Sequence, residues 1–225
     1  LRSKIEILNL TNEFAIAAIS YEKFKEISTP ILKEIFSKTK FVLNEKDRIG
    51  WTVKFREDSV VLDPRNINLG ARLISNLEKL YLSLKKLDLK VVDKSIYYKK
   101  SHDLGIAQVN NSNLKDKIFG IECNFEELNA IDFKKGCFVG QENTSRIKLR
   151  NKLRRRLLPV KINEGKIFKG DLIKFGNNEI GRILIDNPYP FAIIKVIDPN
   201  IKELIGKELN CGSARIQISI PKWLN

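Results

Sequence analysis

The stretch KKGCFVGQEN, residues 134–143, sets one thiol between two glycines, with two lysines before it and a Gln-Glu pair after it. IDF at 131–133 has strand character, and QENTSRIKL at 141–149 has helical character, with Glu142 and Arg146 at i, i+4. Cys137 is thus expected on a turn between strand and helix. Gly136 and Gly140 would supply a positive φ or a close backbone approach there. Adjacent cations and a helix N-terminus favour thiolate, the form that does chemistry. Two readings stay open: Cys137 as a reactive thiol, or as a small apolar residue packed in a Gly-rich turn. Gln141 and Glu142 are placed to hydrogen-bond at the helix start.

Other chemistry is sparse. The three cysteines, Cys123, Cys137 and Cys211, form no CxxC pair, which argues against a zinc ribbon or a disulfide framework. Four thiolates for an iron–sulfur cluster held by this chain alone are lacking. His102 is the sole histidine, so most Ser/His/Asp and Cys/His arrangements are excluded. It lies in KKSHDLG and is expected in a solvated loop. Cys123 and Cys211 are expected to be buried.

The elements that must position these residues divide by texture. Before residue 152, strand-like and helix-like runs alternate. SKIEI and FAIAAI read as strands, and YEKFKEISTPILKEIFSKT as a helix broken at Pro30. WTVKF and SVVL read as strands around a charged turn. Leu73, Leu77, Leu80 and Leu84 predict an amphipathic helix over GARLISNLEKLYLSLKKLDL, with Arg72 at its opening. NLKDKIFGIE and NFEELNAI predict short helical pieces. From about Lys152, short strand-like runs alternate with Gly, Asn and Pro, and GNNEIG at 176–181 marks a hairpin. These imply a small β-barrel or sandwich. The expected division is 1–152 and 153–225.

The 225 residues carry 41 Lys plus Arg against 27 Asp plus Glu, a formal charge of +14. That excess suits an anionic partner, though a Lys-, Asn- and Ile-rich background composition would also produce it. KLRNKLRRR, residues 148–156, concentrates six cations. It reads either as a solvated linker or as a docking surface for an acidic protein or RNA. No apolar run approaches a membrane span, and no secretory leader pattern opens the chain. Cysteine usage points to a reducing cytoplasm.

KKGCFVGQE resembles the K-G-C-[FY]-x-G-Q-E signature of the YgfZ family, folate-binding relatives of the glycine-cleavage T-protein. LDPRNINLGARL at 62–73 resembles the family's D-P-R…L-G-x-R segment. IQISIPKWL resembles its closing strand, and Glu122 stands where the family carries an acidic or amide side chain. The resemblance implies an α+β fold: a T-protein-like folate-binding domain, incomplete at its N-terminus, followed by a small C-terminal β-barrel. The family's F-x-Q-G-x-x-T-x-D-type stretch has no counterpart here, so a longer native chain is expected. The implied function is support of iron–sulfur cluster assembly or repair, with indirect effects on tRNA modification and without simple turnover. The implied cofactor is tetrahydrofolate or a related folate, and the implied partners are iron–sulfur client or assembly proteins. Glu122 is the candidate for the pterin. Lys135, Gly136, Gly140, Gln141, Glu142 and Arg146 are candidates near the ligand, and Cys137 is the candidate catalytic residue. Two alternatives are an aminomethyltransferase-type one-carbon transfer enzyme and a basic tRNA-binding module contacting RNA through 148–156.

Overall fold

The computed structural model describes residues 4–36, 50–108, 112–136, 141–149, 153–197 and 199–224. It is mixed α and β, and it divides into two compact units, Leu1–Asp93 and Lys94–Asn225.

The first unit is built on a four-stranded antiparallel sheet. Its strands are β1 (Phe14–Ile19), β2 (Thr52–Phe55), β3 (Asp58–Leu62) and β4 (Ala71–Asn76), in the order β1-β4-β3-β2. Val53 pairs with Val60 and Val60 with Leu73, so alternate residues face one side. That side is buried against Tyr21, Phe24 and Ile27 of helix α1 (Tyr21–Phe36). The helix runs through Pro30 rather than breaking there. The Phe24/Ile27 face is buried in the core, and burying such side chains is worth about 1.5–3 kcal/mol each, enough to outweigh the roughly 3 kcal/mol cost of an interior proline.

The predicted leucine helix begins later than its periodicity suggests. Residues 71–76 are strand β4, with Ala71, Leu73 and Ser75 buried, and helix α2 starts at Leu77 and ends at Lys86. Asn76 accepts from the Glu78 N–H and caps it. Arg72 therefore projects from a strand. Asp58, at the start of β3, is buried and accepts from the hydroxyls of Ser75 (2.9 Å) and Ser83 (2.7 Å), tying β3 to β4 and α2. Residues 4–10, expected to include a strand at SKIEI, form none.

The second unit contains helix α3 (Ser95–Asp103), a turn-rich segment over 112–130, helix α4 (Gln141–Leu149) and a closed six-stranded barrel. The barrel strands are β5 (Arg155–Glu164), β6 (Leu172–Phe175), β7 (Asn178–Ile185), β8 (Phe191–Lys195), β9 (Leu209–Cys211) and β10 (Ala214–Ile218), in the order β10-β5-β8-β7-β6-β9. Leu158, Val160, Ile173, Ile180, Ile183, Ile194, Leu209 and Ile216 fill its interior. Gly181 is required where β7 meets β8, because a Cβ would lie 2.3 Å from the Ile193 carbonyl oxygen. The barrel opens at Arg155, just past the expected 152/153 division, while the compact unit holding it begins at Lys94.

His102 is not a solvated loop residue. It lies on α3, with Nε2 3.0 Å from the Pro190 carbonyl oxygen and its ring edge-on to Phe191 at 5.2 Å. The short helices predicted over 112–130 are turns instead. Asp116, Asn124 and Asn129 adopt positive φ and stop each helical run before it propagates.

Candidate functional site

The turn-rich segment and the start of the barrel meet through a ladder of polar contacts. Leu157 N–H donates to the Glu122 carbonyl at 2.8 Å, which aligns residues 122–127 with 155–157. Glu122 is buried. Its Oε2 accepts from the Phe119 N–H (3.0 Å) and its Oε1 from Arg155 Nε (2.9 Å). A carboxylate offers about four lone-pair sites, so Glu122 retains acceptor capacity toward a ligand with N–H donors.

Asn124 crosses the same junction. It is buried, with φ +63°, donates through Nδ2 to the Leu157 carbonyl (2.9 Å) and accepts at Oδ1 from Arg156 Nη1 (2.7 Å). Arg156 Nη2 also pairs with Glu127 Oε1 at 2.6 Å. The other Glu127 oxygen is buried without a hydrogen-bond partner among the described residues. Lys148, in the last turn of α4, pairs with Glu126 at 2.5 Å and lies 5.7 Å from the centre of the Phe133 ring. Phe133 and α4 flank the stretch 134–140 in sequence, so both flanks converge on Lys148.

Cys123 sits beneath this ladder, packed among Leu157, Leu184, Phe191 and Ile193. Burial, and then the Glu122 charge, push its thiol up to about 11. Cys211 is likewise pushed to about 11, by burial and then by Asp171. Both are buried and unbridged, as the sequence predicts.

The remaining candidates divide. Cys137 and Gly140 lie outside the described residues. Gln141 opens α4, and Glu142 makes the expected i, i+4 pair with Arg146 at 2.5 Å on an exposed face. Lys135 and Gly136 are exposed in the turn after Phe133. Gly136 does not adopt a positive φ, and a Cβ there would meet none of the described residues within 4 Å. Among the described residues, no group of three or more His, Cys, Asp or Glu is disposed to hold a metal ion. No helix of the described residues is long and apolar enough to cross a membrane.

Asn124, Arg155, Arg156 and the two glutamates at 126 and 127 are the contributors the sequence reading missed. The available signal was charge complementarity between ECNFEE and the RRR of the basic run. The first unit holds a second, separate cluster. Asp63 is bound by Arg65 through Nε (3.0 Å) and Nη2 (2.8 Å), and Arg72 approaches it at 3.4 Å. Burial pushes the Asp63 carboxyl up, but the hydrogen bonds and charge of Arg65, then the charge of Arg72, outweigh it and hold the carboxyl below its usual range. This gives both arginines of the LDPR…GAR segment a structural role.

No family model matches the chain. It is, however, similar to curated proteins named iron–sulfur cluster assembly factor IBA57 homolog, mitochondrial. The Dictyostelium discoideum protein is 32% identical over 161 residues, covering 71% of this chain and 35% of the relative. The Neurospora crassa protein is 34% identical over 123 residues, 52% of this chain and 28% of the relative. The Pyricularia oryzae protein is 34% identical over 99 residues, 44% and 25%. The chain thus aligns to about a third or less of the length of these relatives. All three are named as mitochondrial, which overturns the cytoplasmic location expected from cysteine usage. A reducing compartment is compatible with few cysteines, but it does not distinguish cytoplasm from mitochondrial matrix.

Proposed function

We propose that this chain acts in iron–sulfur cluster assembly in mitochondria, as a YgfZ-like folate-binding protein related to the IBA57 group. The observation that carries the reading is the similarity to relatives named as assembly factors, 32% identical over 161 residues in the longest of the three alignments described above. The mixed α+β fold with a six-stranded barrel is compatible with it.

In this reading Glu122 receives the N–H groups of the pterin. Arg155 and the Phe119 amide orient its carboxylate. Lys135 and Arg146 lie toward the anionic tail. A cluster is cargo, and one thiol at Cys137 cannot hold it, so any cluster-handling step draws its other ligands from a partner protein. The chain's partners are then iron–sulfur client and assembly proteins.

Two measurements test the reading. In a strain lacking the corresponding gene, the protein restores aconitase-type activity; failure to restore it removes the assembly role. Titration calorimetry with 5-formyltetrahydrofolate gives saturable binding that Glu122→Gln weakens at least tenfold. Equal binding by the variant removes Glu122 from the ligand site.

A further inference from the structure

The second unit carries most of the charge excess, with 24 Lys and Arg against 14 Asp and Glu over residues 94–225. Its most basic run is not where that charge is displayed. Of the four cations in 148–156 that the structure describes, Lys148, Arg155 and Arg156 are paired with residues 122–127, and Arg154 is exposed.

Unpaired charge gathers instead at the turn Asn113–Lys117 and the loop joining β5 to β6. Leu114 is buried in the unit's apolar cluster and Ile118 packs on it, leaving Lys117 exposed between them. In the loop, Ile167 is buried in the barrel core. Lys166, Phe168 and Lys169 point outward, and Phe168 is 62% exposed. The loop is well braced. Phe168 N–H donates to Asp171 Oδ2 (2.8 Å), Gly170 N–H to the Ile183 carbonyl (2.9 Å) and Ile183 N–H to the Asp171 carbonyl (2.9 Å). Lys169 N–H donates to Asp186 (3.3 Å), so Asp171 and Asp186 are turned to backbone amides, while Asp116 of the turn is exposed.

Lys169 Nζ donates to Asn113 Oδ1 at 2.6 Å, which brings the loop onto the turn. Lys117 belongs to the same turn as Asn113, and the neighbouring Lys169 ammonium lowers the Lys117 pKa. None of the ion pairs among the described residues involves Lys117, Lys166 or Lys169. Lys117 and Lys169, on a turn and loop joined through Asn113, offer positive charge to an anion, and the exposed Phe168 ring beside Lys169 offers a face for a flat base.

We propose that Lys117, Lys166 and Lys169, with Phe168 between the last two, form a contact site for single-stranded nucleic acid. The lysines take phosphate oxygens and Phe168 stacks on a base. A single strand presents phosphates and flat bases in alternation, the pattern that two lysines flanking an exposed ring fit, and this favours it over an acidic peptide.

The test is fluorescence anisotropy of the full chain with a labelled oligouridine of about twelve nucleotides, at several salt concentrations. Binding is expected to fall with salt. Lys117→Ala with Lys169→Ala is expected to reduce the logarithmic salt slope by roughly 1.4, two contacts at about 0.7 each for a single strand. Phe168→Ala is expected to weaken binding about tenfold. Lys117→Arg with Lys169→Arg retains binding, which a general loss of folding could not explain. Three results overturn the proposal: no binding at low salt, variants with unchanged affinity and slope, or an oligoglutamate competing as well as unlabelled RNA while Phe168→Ala has no effect.

Discussion

Arg155 and Glu122 are 33 residues apart in sequence and meet at 2.9 Å, the guanidinium half-exposed and the carboxylate buried. The contact fastens the turn-rich segment to the first barrel strand at the residue expected to receive a ligand. Removing the cation leaves the Glu122 side chain with the Phe119 amide as its remaining partner among the described residues. Arg155→Ala is expected to cost about 1 kcal/mol, the modest value reflecting solvent screening of the arginine. The urea midpoint should fall accordingly, and less so in high salt. An unchanged midpoint at low salt would show that the pair contributes nothing to stability.

Asn124 separates backbone strain from hydrogen bonding. Asn124→Ala loses the bonds to Leu157 and Arg156 and also places a poorly suited residue at φ +63°, for an expected loss of about 2–4 kcal/mol. Asn124→Gly relieves the backbone but not the bonds, and should recover about 1 kcal/mol of that loss. Equal destabilisation by the two variants in chemical denaturation would mean the backbone conformation carries no cost.

The β2–β3 hairpin turns on Arg56 (φ +50°) and Glu57 (φ +71°), two residues ill suited to left-handed backbone. Replacing them with Asn-Gly should stabilise the chain by about 1–2 kcal/mol. The exposed Lys79–Glu57 pair is lost in the exchange, at little cost. A fall in melting temperature would contradict this.

The Asp63 carboxyl titrates below its ordinary value in the folded state, so its pairing contributes stability above the unfolded value, about 3.9. That contribution is lost as pH falls through the lower folded value. Asp63→Asn should therefore flatten the decline of melting temperature with pH below about 4. An identical acid profile in the variant would refute the assignment.

Thiol accessibility provides a further check. Cys123 and Cys211, both pushed to about 11, should resist iodoacetamide at pH 8 in the native chain and react after denaturation. The reactive reading of Cys137 then requires one label per native chain. Because the folded values are raised, the two buried thiols favour folding below the unfolded value, about 8.5, and this support disappears as pH rises through about 11. Replacing both with Ala should weaken the alkaline dependence of stability. Rapid native labelling of either would contradict their burial.

The barrel was legible because its strands are short, alternating and punctuated by Gly, Asn and Pro. The GNNEIG hairpin falls between β6 and β7 as expected. Strand β4 was not, since Leu73 extends the leucine spacing of α2 backwards and conceals a strand whose inward positions are Ala71, Leu73 and Ser75. Helical spacing also misled over 112–130, where three Asp or Asn residues take left-handed backbone. Sequence singled out Glu122 but not the groups around it. Arg155 and Arg156 looked like part of a solvent-facing charge run. Their partners lie some thirty residues earlier, and such pairing depends on how the chain returns rather than on any local pattern.

The barrel closes by pairing β5, its first strand, with β10, its last. Strands β6, β7 and β8 can pair as successive hairpins as they leave the ribosome, but the seam must wait for residues 214–218. Until then β5 and β9 each carry one unpaired edge, and the apolar interior is open along that line. The turn segment 122–130 is made before β5, and the contacts that Glu122 and Asn124 make require only residues 119 and 155–157. The junction around Glu122 can thus be assembled while the seam is still open, so during synthesis the site forms ahead of the completed barrel that supports it.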